Sequence, residues 1–293
     1  MSDAAAPQVD KSRELKLRIA SALVIGPAAL AITWWGGSPF AVLVVVAAVL
    51  MMDEWTTIVL GPSRGPLRLV QLGLVGVAVA AAAFVARFGG APAFTLLGVV
   101  VGLGVASALS MKEARERLLG DEARRWAPWG ALYAGLPPIA LVSLRDAPIG
   151  LWLIFFLFAV VWTTDVAAFF AGRAIGGPKL WERVSPKKTW SGAVGGLLGA
   201  AIAGVGVAHF AGAPHLLPVL GVAMVLSIAS QAGDLFESAL KRRFGVKDSG
   251  RLIPGHGGIL DRVDGLVSAA VSAMLIAMLH GGIANPTAGL LFW

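Results

Sequence analysis

Apolar runs of about 20 residues recur along nearly the whole chain, and they constrain its fold more than any other feature. The runs cover roughly 17–35, 39–60, 67–86, 91–109, 127–145, 149–172, 192–212, 216–236 and 263–281. An α-helix needs about 20 apolar residues to cross the roughly 30 Å hydrocarbon core of a bilayer. Inside that core each backbone polar group must be bonded within its own segment, which favours helices. The sequence therefore predicts an all-α, polytopic membrane protein of about nine transmembrane helices.

The composition agrees with a membrane protein and excludes several kinds of site. Of the 293 residues, 57% are hydrophobic and 14% are charged, whereas soluble domains carry about 25% charged residues. The chain has no cysteine, which excludes disulfides, thiolate catalysis and cysteine-based metal sites. The four histidines form no HxxH or HExxH pattern, so a zinc site built from histidines is not expected.

The positions of the Lys and Arg residues predict the orientation in the membrane. With nine spans and a cytoplasmic N-terminus, all but two of the 24 Lys and Arg residues fall in the N-terminal tail or in cytoplasmic loops. The two exceptions are Arg87 and Arg145. Cytoplasmic loops of membrane proteins carry such an excess. This bias accounts for the net charge of +7, so no nucleic-acid partner is predicted.

The chain divides into two regions of different character. Residues 1–125 are predicted to form an N-terminal tail and a four-helix membrane region of simple Ala/Val/Leu/Gly composition. Residues 126–293 are predicted to form a C-terminal catalytic membrane region with basic cytoplasmic loops. The first region contains one intramembrane acidic pair, Asp53 and Glu54. The favoured interpretation of this pair is two helix-end carboxylates in the headgroup zone.

Five acidic residues lie in or beside the later spans. Asp165 lies in the sixth span, Asp234 and Glu237 lie in the eighth, and Asp261 and Asp264 open the ninth. A carboxylate at the centre of a membrane helix costs about 2.5–3.5 kcal/mol on insertion scales, so such residues face the protein interior and have partners. In the predicted topology all five lie toward the cytoplasmic ends of their helices. We expect them to converge in one cavity that faces the cytoplasm.

Polar residues also form a stripe along each of the last two spans, at helical spacing. The first stripe consists of Ser227, Gln231, Asp234, Ser238 and Lys241, and the second of Asp261, Asp264, Ser268 and Ser272. Because the two spans are consecutive and antiparallel, the stripes are expected to face each other. Hydrogen bonding between helices is the alternative explanation, but Ser and Gln would provide it without acids.

The loops between these spans are basic and rich in glycine. One loop reads Ser-Pro-Lys-Lys-Thr-Trp-Ser-Gly over residues 185–192, and the other runs from Lys241 to Gly258. Glycines let backbone N–H groups approach an anion, and Lys and Arg neutralise its charge. Mg²⁺ binds through one or two carboxylates and shares its coordination shell with phosphate oxygens. Intramembrane acids beside such loops therefore indicate a divalent cation together with a polyphosphate.

The long C-terminal loop and the start of the last span carry a family resemblance. The segment 238–264, SALKRRFGVKDSGRLIPGHGGILDRVD, resembles the signature of the phosphatidate cytidylyltransferases, also called CDP-diacylglycerol synthases. Three flanking pieces fit as well: QAGDLFE at 231–237, SPKKTW at 185–190 and DVAAFFAG at 165–172. The resemblance covers about residues 160–272, and the N-terminal half matches only in its hydropathy.

The resemblance implies a Mg²⁺-dependent reaction in which CTP and phosphatidic acid give CDP-diacylglycerol and pyrophosphate. Together with the charge distribution, it predicts an enzyme of the inner (plasma) membrane whose active site faces the cytoplasm. A second cation stays open. The implied partners are CTP, phosphatidic acid, membrane lipids and a second copy of the chain in a homodimer. Carboxylate ligands for the metal are implied at Asp234 and Asp261.

The candidate site residues follow from the resemblance and the charge pattern together. The candidate metal ligands are Asp165, Asp234, Asp261 and Asp264. The candidate catalytic residues are Asp234, Asp261, Asp264, Lys241 and Arg262. The candidate substrate-binding residues are Ser185, Lys187, Lys188, Thr189, Arg242, Lys247, Arg251, Gly255, His256, Gly257 and Gly258.

Two other functions stay open from the sequence. A CTP-dependent kinase of a polyprenol or other membrane alcohol would also need Mg²⁺, but it would release CDP instead of pyrophosphate. An anion or lipid transporter would be expected to carry charges in both halves of the bilayer, often on broken helices of two related repeats. The long signature at 238–264 favours the cytidylyltransferase.

Overall fold

The computed structural model describes residues 11–61, 66–88, 121–250, 252, 257–281 and 288–293. Nine helices lie within these ranges: α1 Lys11–Trp35, α2 Gly37–Leu60, α3 Pro66–Phe88, α4 Asp121–Arg145, α5 Gly150–Ile175, α6 Trp190–Phe210, α7 Leu216–Arg243, α8 Leu260–Gly281 and α9 Ala288–Leu291. Two short strands, β1 Lys179–Trp181 and β2 Ser185–Thr189, form an antiparallel hairpin between α5 and α6. The sequence had predicted this segment only as a loop.

Seven of the described helices, α2 to α8, contain stretches long and apolar enough to cross a membrane. They correspond to seven of the nine predicted spans, and the predicted all-α membrane fold is confirmed. The first predicted span falls in α1, whose residues Leu23–Trp35 form a shorter apolar segment. The predicted span at 91–109 lies outside the described residues. The cytoplasmic position of the N-terminus stays a prediction.

The end of α1 is attached to the end of α4. Gly36, between α1 and α2, has φ +70°, a left-handed conformation that glycine adopts without steric cost. The Arg145 guanidinium donates hydrogen bonds to the carbonyl oxygens of Thr33 at 2.8 Å and Trp34 at 3.0 Å. The last carbonyls of a helix have no partner within that helix, so these bonds satisfy the end of α1 and hold it against the bundle.

Two hydrophobic cores run through the bundle and meet along α4. The first is built around α2, α3 and α4, with Met52 and Trp55 fully buried. The second is built around α5 to α8, with Phe156 and Leu226 at its centre. Leu240 and Leu260, from the end of α7 and the start of α8, belong to the first core. The N-terminal helices therefore support the segment that carries the predicted site, and the domain boundary at residue 125 stays a prediction.

Small residues let α5 and α6 pack closely. A Cβ atom added to Gly196 would lie 2.8 Å from the carbonyl oxygen of Thr164, and one added to Gly199 would lie 2.6 Å from the Ala167 Cβ. Membrane helices use small residues in this way because association there depends on close packing. The close contact fixes the start of α6, and with it the hairpin β1–β2, beside the last turns of α5.

Candidate active site

The hairpin brings a lysine to the first acid of α7. Lys188, on β2, donates a hydrogen bond to Asp234 Oδ2, and each side chain is 26% exposed. The hydroxyl of Thr189 accepts a hydrogen bond from the Gly192 N–H at 3.1 Å and caps α6. Such a cap typically stabilises a helix by about 1 kcal/mol. Since β2 runs directly into α6, the cap also orients the Lys188 side chain.

A cavity of about 530 Å³ lies between the hairpin and the helices α5, α6 and α7. Its lining includes the acids Asp165 and Asp234 and the cations Arg173, Lys187 and Lys188. Cavities of this size, roughly 300–1,000 Å³, commonly hold small molecules and cofactors. The structure therefore brings together two predicted metal ligands and two predicted phosphate-binding lysines. Arg173, at the end of α5, belongs to the same cavity but was not among the predicted site residues.

A second cluster forms where α8 begins. Asp261 Oδ1 accepts a hydrogen bond from Lys241 at 2.5 Å. Its Oδ2 accepts from the Ser249 N–H at 2.9 Å, the Ser249 hydroxyl at 3.0 Å and the Gly258 N–H at 2.9 Å. Lys241 also forms an ion pair with Glu237 at 2.7 Å. Because a buried ion pair is stable only when further hydrogen bonds satisfy its atoms, these contacts explain how Asp261 and Lys241 can both be largely buried.

Asp264 connects the two clusters. It interacts electrostatically with Asp234, Glu237 and Asp165, and Glu237 interacts in turn with Asp261. The helices α7 and α8 approach closely at this level, since a Cβ atom added to Gly233 would lie 2.6 Å from the Asp264 carbonyl oxygen. Of the five acids, Asp165 and Asp234 line the cavity beside the hairpin, whereas Asp261 belongs to the second cluster. Asp264 and Glu237 link the two groups, and the gathering of all five in one cavity that faces the cytoplasm stays a prediction.

The two polar stripes face each other only in part. Lys241 and Asp261 join them as predicted. Ser227, however, accepts a hydrogen bond from Thr164 of α5 at 2.9 Å, and Gln231 donates to the Ala193 carbonyl of α6 at 3.3 Å. For these two residues the prediction was wrong, because α7 packs against α5, α6 and α8 at once and one broad stripe reaches several neighbours.

Glu54 is a site residue that sequence reasoning missed. Its carboxylate accepts hydrogen bonds from the Ser249 hydroxyl at 2.7 Å, the Ile259 N–H at 2.8 Å and the Leu260 N–H at 2.9 Å. Glu54 is 7% exposed, so its interpretation as a headgroup-zone carboxylate was wrong. Asp53, its neighbour, does match that interpretation, since its side chain is 38% exposed and pairs with Arg68.

Two glycines of the predicted substrate loop are required by close packing around Asp261. Gly257 has φ +83°, and a Cβ atom there would lie 2.7 Å from Asp261 Oδ2. A Cβ atom on Gly258 would overlap the Ser249 hydroxyl and the Glu54 carboxylate. Three other residues predicted in this loop, Arg251, Gly255 and His256, lie outside the described residues.

The remaining predicted residues lie around these clusters. Ser185 is half-buried in β2, and Arg242 and Lys247 are exposed near the end of α7. Arg262 is exposed and lines a separate, apolar cavity. The structure therefore does not place Arg262 in the cavity that holds Asp165 and Asp234.

The acidic side chains of the site suit a magnesium ion that takes some of its ligands from the protein and the others from a substrate. Among the described residues, no group of three or more acidic or histidine side chains is placed to hold a metal by itself. Mg²⁺ usually takes one or two carboxylates and completes its shell with phosphate oxygens. Asp165 and Asp234 offer carboxylate oxygens in one cavity, where Asp234 also accepts from Lys188 and, at 3.4 Å, from Ser238. Asp261 does not line that cavity, and both of its oxygens have protein donors. The magnesium ion and its four ligands stay predictions.

Comparison with known proteins decides the family. The chain matches the model of the cytidylyltransferase family over residues 16–280. The chain belongs to the cytidylyltransferase family. This match covers the N-terminal half as well, where the sequence resembled the family only in its hydropathy.

Named relatives extend the cytidylyltransferase assignment. The chain is 42% identical to a phosphatidate cytidylyltransferase of Brucella suis, over 94% of this chain and 97% of the relative. It is 43% identical to a phosphatidate cytidylyltransferase of Brucella abortus, over 87% of this chain and 90% of the relative. A relative of the same name from Staphylococcus aureus is 47% identical, over 39% of this chain and 45% of the relative. The resemblance found in segment 238–264 is thereby confirmed.

Proposed function

We propose that this chain transfers the cytidylyl group of CTP to phosphatidic acid and so produces CDP-diacylglycerol and pyrophosphate. The observation that carries the proposal is membership in the cytidylyltransferase family, with relatives named phosphatidate cytidylyltransferase along nearly the full chain. The cavity supports it as well, because Asp165 and Asp234 of two membrane helices meet two lysines of the hairpin there, and such a site suits a polyphosphate beside a lipid.

The reaction joins two anions. A phosphate oxygen of phosphatidic acid attacks the α-phosphorus of CTP and forms a new P–O bond. The bond from the α-phosphorus to the oxygen that bridges to the β-phosphorus breaks, and that oxygen leaves with pyrophosphate. The attacking phosphate is already anionic at neutral pH, so no strong general base is needed. The site has to supply positioning and charge neutralisation.

The cations of the cavity are suited to hold the triphosphate. Lys187, Lys188 and Arg173 line it together, and the hydrogen bond to Asp234 keeps the Lys188 ammonium inside the cavity. Asp165 and Asp234 would hold Mg²⁺, which neutralises phosphate oxygens when bound. Asp264 lies within electrostatic reach of both and is the further candidate ligand.

The second cluster has a positioning role in this proposal. Asp261 fixes Ser249 and Gly258, and so sets the path of the loop at the start of α8. Lys241 lies between Glu237 and Asp261, where its positive charge reduces the electrostatic repulsion between the two carboxylates. The loop and the cavity would then face the nucleotide and the lipid headgroup from neighbouring helices.

The proposed site faces the cytoplasm, with the N-terminus on the same side of the inner (plasma) membrane. The support is charge distribution: all but two of the 24 Lys and Arg residues fall on that side of the predicted topology. Those two, Arg87 and Arg145, both interact with Asp146 at one end of α4. Glu122, at the opposite end of α4, pairs with Arg243.

A homodimer stays part of the proposal, and light scattering of the purified protein in detergent tests it.

Product analysis tests the proposed function. The purified protein is incubated in detergent with Mg²⁺, phosphatidic acid and CTP labelled at either the α- or the γ-phosphate, and lipids are then extracted. The proposal expects the α-label in the lipid and the γ-label in pyrophosphate. The γ-label in a lipid, with CDP released, would instead identify a lipid kinase.

Two further arms complete this test. Chelation of divalent cations is expected to stop the reaction, and added Mg²⁺ is expected to restore it. Added monovalent salts then reveal whether a second cation is needed. Lipid or anion flux in sealed vesicles without nucleotide, together with no labelled lipid, would favour a transporter.

A further inference from the structure

A second cavity, of about 460 Å³, lies between α1, α2, α4, α5 and α8, apart from the cavity that holds Asp165 and Asp234. Its described lining is apolar except for Thr33 and Arg262. The Thr33 hydroxyl donates to the Ala29 carbonyl of its own helix at 2.7 Å. Arg262 is therefore the one charged side chain in the described lining.

The depth of this cavity corresponds to one leaflet of a bilayer. Along α2 its lining runs from Phe40 to Met51, which is about 16 Å at a rise of 1.5 Å per residue. That length is about half of the roughly 30 Å hydrocarbon core. An apolar cavity of this depth matches an acyl chain better than it matches a compact solute.

The charged end of the cavity adjoins the acid cluster. Arg262 directly follows Asp261 in α8, and Ile259, another lining residue, donates its N–H to Glu54 at 2.8 Å. Met51 precedes Glu54 by less than one helical turn. The opposite end, at Phe40 and Thr33, lies near the joint between α1 and α2. The positive charge of the cavity, on Arg262, therefore lies at the depth of Glu54 and Asp261. From there to the joint between α1 and α2 the walls of the cavity are apolar.

We infer that this cavity takes one acyl chain of the phosphatidic acid, with Arg262 at the level of the lipid phosphate. The inference rests on the proposed function and assigns the lipid to a part of the site that Asp165 and Asp234 do not form. Charge complementarity selects the occupant: an anionic headgroup on an apolar chain matches a guanidinium at the end of an apolar cavity. Arg262 would then bind the substrate phosphate.

Filling the cavity tests the inference without touching the acids or lysines. Ala47 lines the cavity, whereas Val46 beside it is 49% exposed on the outside of α2. The variant A47F and its matched control V46F are assayed with dioleoyl and dihexanoyl phosphatidic acid. We expect A47F to lower kcat/KM for the dioleoyl lipid about tenfold, which corresponds to roughly two methylene groups left unburied. Its kcat/KM for the dihexanoyl lipid and its KM for CTP should stay unchanged, as should every value of V46F.

Two outcomes overturn the inference. One is an A47F enzyme that uses the dioleoyl lipid as well as V46F does. The other is an equal loss on both lipids with an unchanged KM for CTP, which would show that the residue at position 47 acts on something other than the acyl chain. A wild-type protein that labels no lipid from CTP refutes the proposed function itself, so the two failures are distinguishable.

Photo-crosslinking of the wild-type protein gives a readout that needs neither turnover nor a variant. A phosphatidic acid with a diazirine at the end of one acyl chain is irradiated with the protein, and labelled peptides are mapped. Labelling is expected on the cavity-lining residues of α2 and α8, and excess unlabelled dioleoyl phosphatidic acid should suppress it while dioleoyl phosphatidylcholine should not. Equal suppression by both lipids, or labelling confined to outward-facing residues such as Val46, overturns the inference.

Discussion

Replacing Glu54 by alanine should lower kcat about 10²-fold, although Glu54 does not line the cavity that holds Asp165 and Asp234. The Glu54 carboxylate joins α2 to Ser249 and to the first N–H groups of α8. Ser249 in turn donates two hydrogen bonds to Asp261. Removal of the Glu54 carboxylate therefore weakens the attachment of Ser249 and of the start of α8, the two segments that Asp261 also contacts.

The size of the effect follows from these contacts. The N–H groups of Ile259 and Leu260 lose their charged acceptor, and each buried donor left without a partner costs about 1–3 kcal/mol. The Ser249 hydroxyl loses Glu54 but keeps Asp261 as an acceptor at 3.0 Å. Partial rearrangement of the loop will recover some of this free energy by moving Ser249 and Gly258. A displacement of about 1 Å at a reacting group can lower the rate about 10²-fold, and that is the loss in kcat we expect for E54A. The variant E54Q keeps one acceptor oxygen and should fall between E54A and wild type.

The assay measures CDP-diacylglycerol formation together with thermal unfolding in detergent. D53A is the matched control, because Asp53 is adjacent in sequence but pairs with Arg68 on a more exposed face. We expect E54A to lower kcat and the unfolding midpoint much more than D53A does, with KM for CTP little changed. Equal kcat values and equal midpoints for E54A and D53A would refute the reasoning.

Three further predictions concern individual groups of the site. D261N should abolish turnover while the protein still elutes as a folded species in detergent, and near-normal activity would contradict the role given to Asp261. K188A should raise KM for CTP about tenfold or more, because a hydrogen bond to a charged group contributes about 1.5–3 kcal/mol. The control variant K179A, on the exposed strand β1, should leave KM unchanged. Equal KM values for the two variants would contradict a role of Lys188 in CTP binding. G258A should destabilise the protein by about 1–3 kcal/mol through overpacking, since its Cβ would meet Ser249 and Glu54. G221A, where no atom lies within 4 Å of the new Cβ, should keep the wild-type unfolding midpoint, and G258A would then be expected to unfold well below it.

The membrane fold was largely predictable because the bilayer imposes its own length and polarity. Each of the helices α2 to α8 contains one of the apolar runs, since a span must be about 20 residues long and must bond its own backbone. The convergence of Asp165, Asp234 and Asp264 was predictable for a related reason. A carboxylate in a membrane helix needs a polar partner, and other polar groups of the same bundle are the nearest available.

The partners of these groups were much less predictable. Asp53 and Glu54 are adjacent and chemically alike, yet one pairs with Arg68 of α3 and the other with the start of α8. Successive residues of a helix point about 100° apart, so they face different neighbours, and only the packing says which. The hairpin β1–β2 escaped prediction because its strands are three and five residues long, too short for a periodic pattern.

By itself the sequence determined that the chain has a helical membrane fold and located the spans in α2 to α8. It also indicated that acids, lysines and glycines suited to one kind of reaction gather in its second half. These properties follow from hydropathy and local spacing, which act along the chain. Only the tertiary structure decided that Lys188 meets Asp234, 46 residues away, and that Glu54 meets Leu260, 206 residues away. Such pairings depend on which helix faces lie together, and helix packing arises from small residues and side-chain shapes that no local spacing encodes.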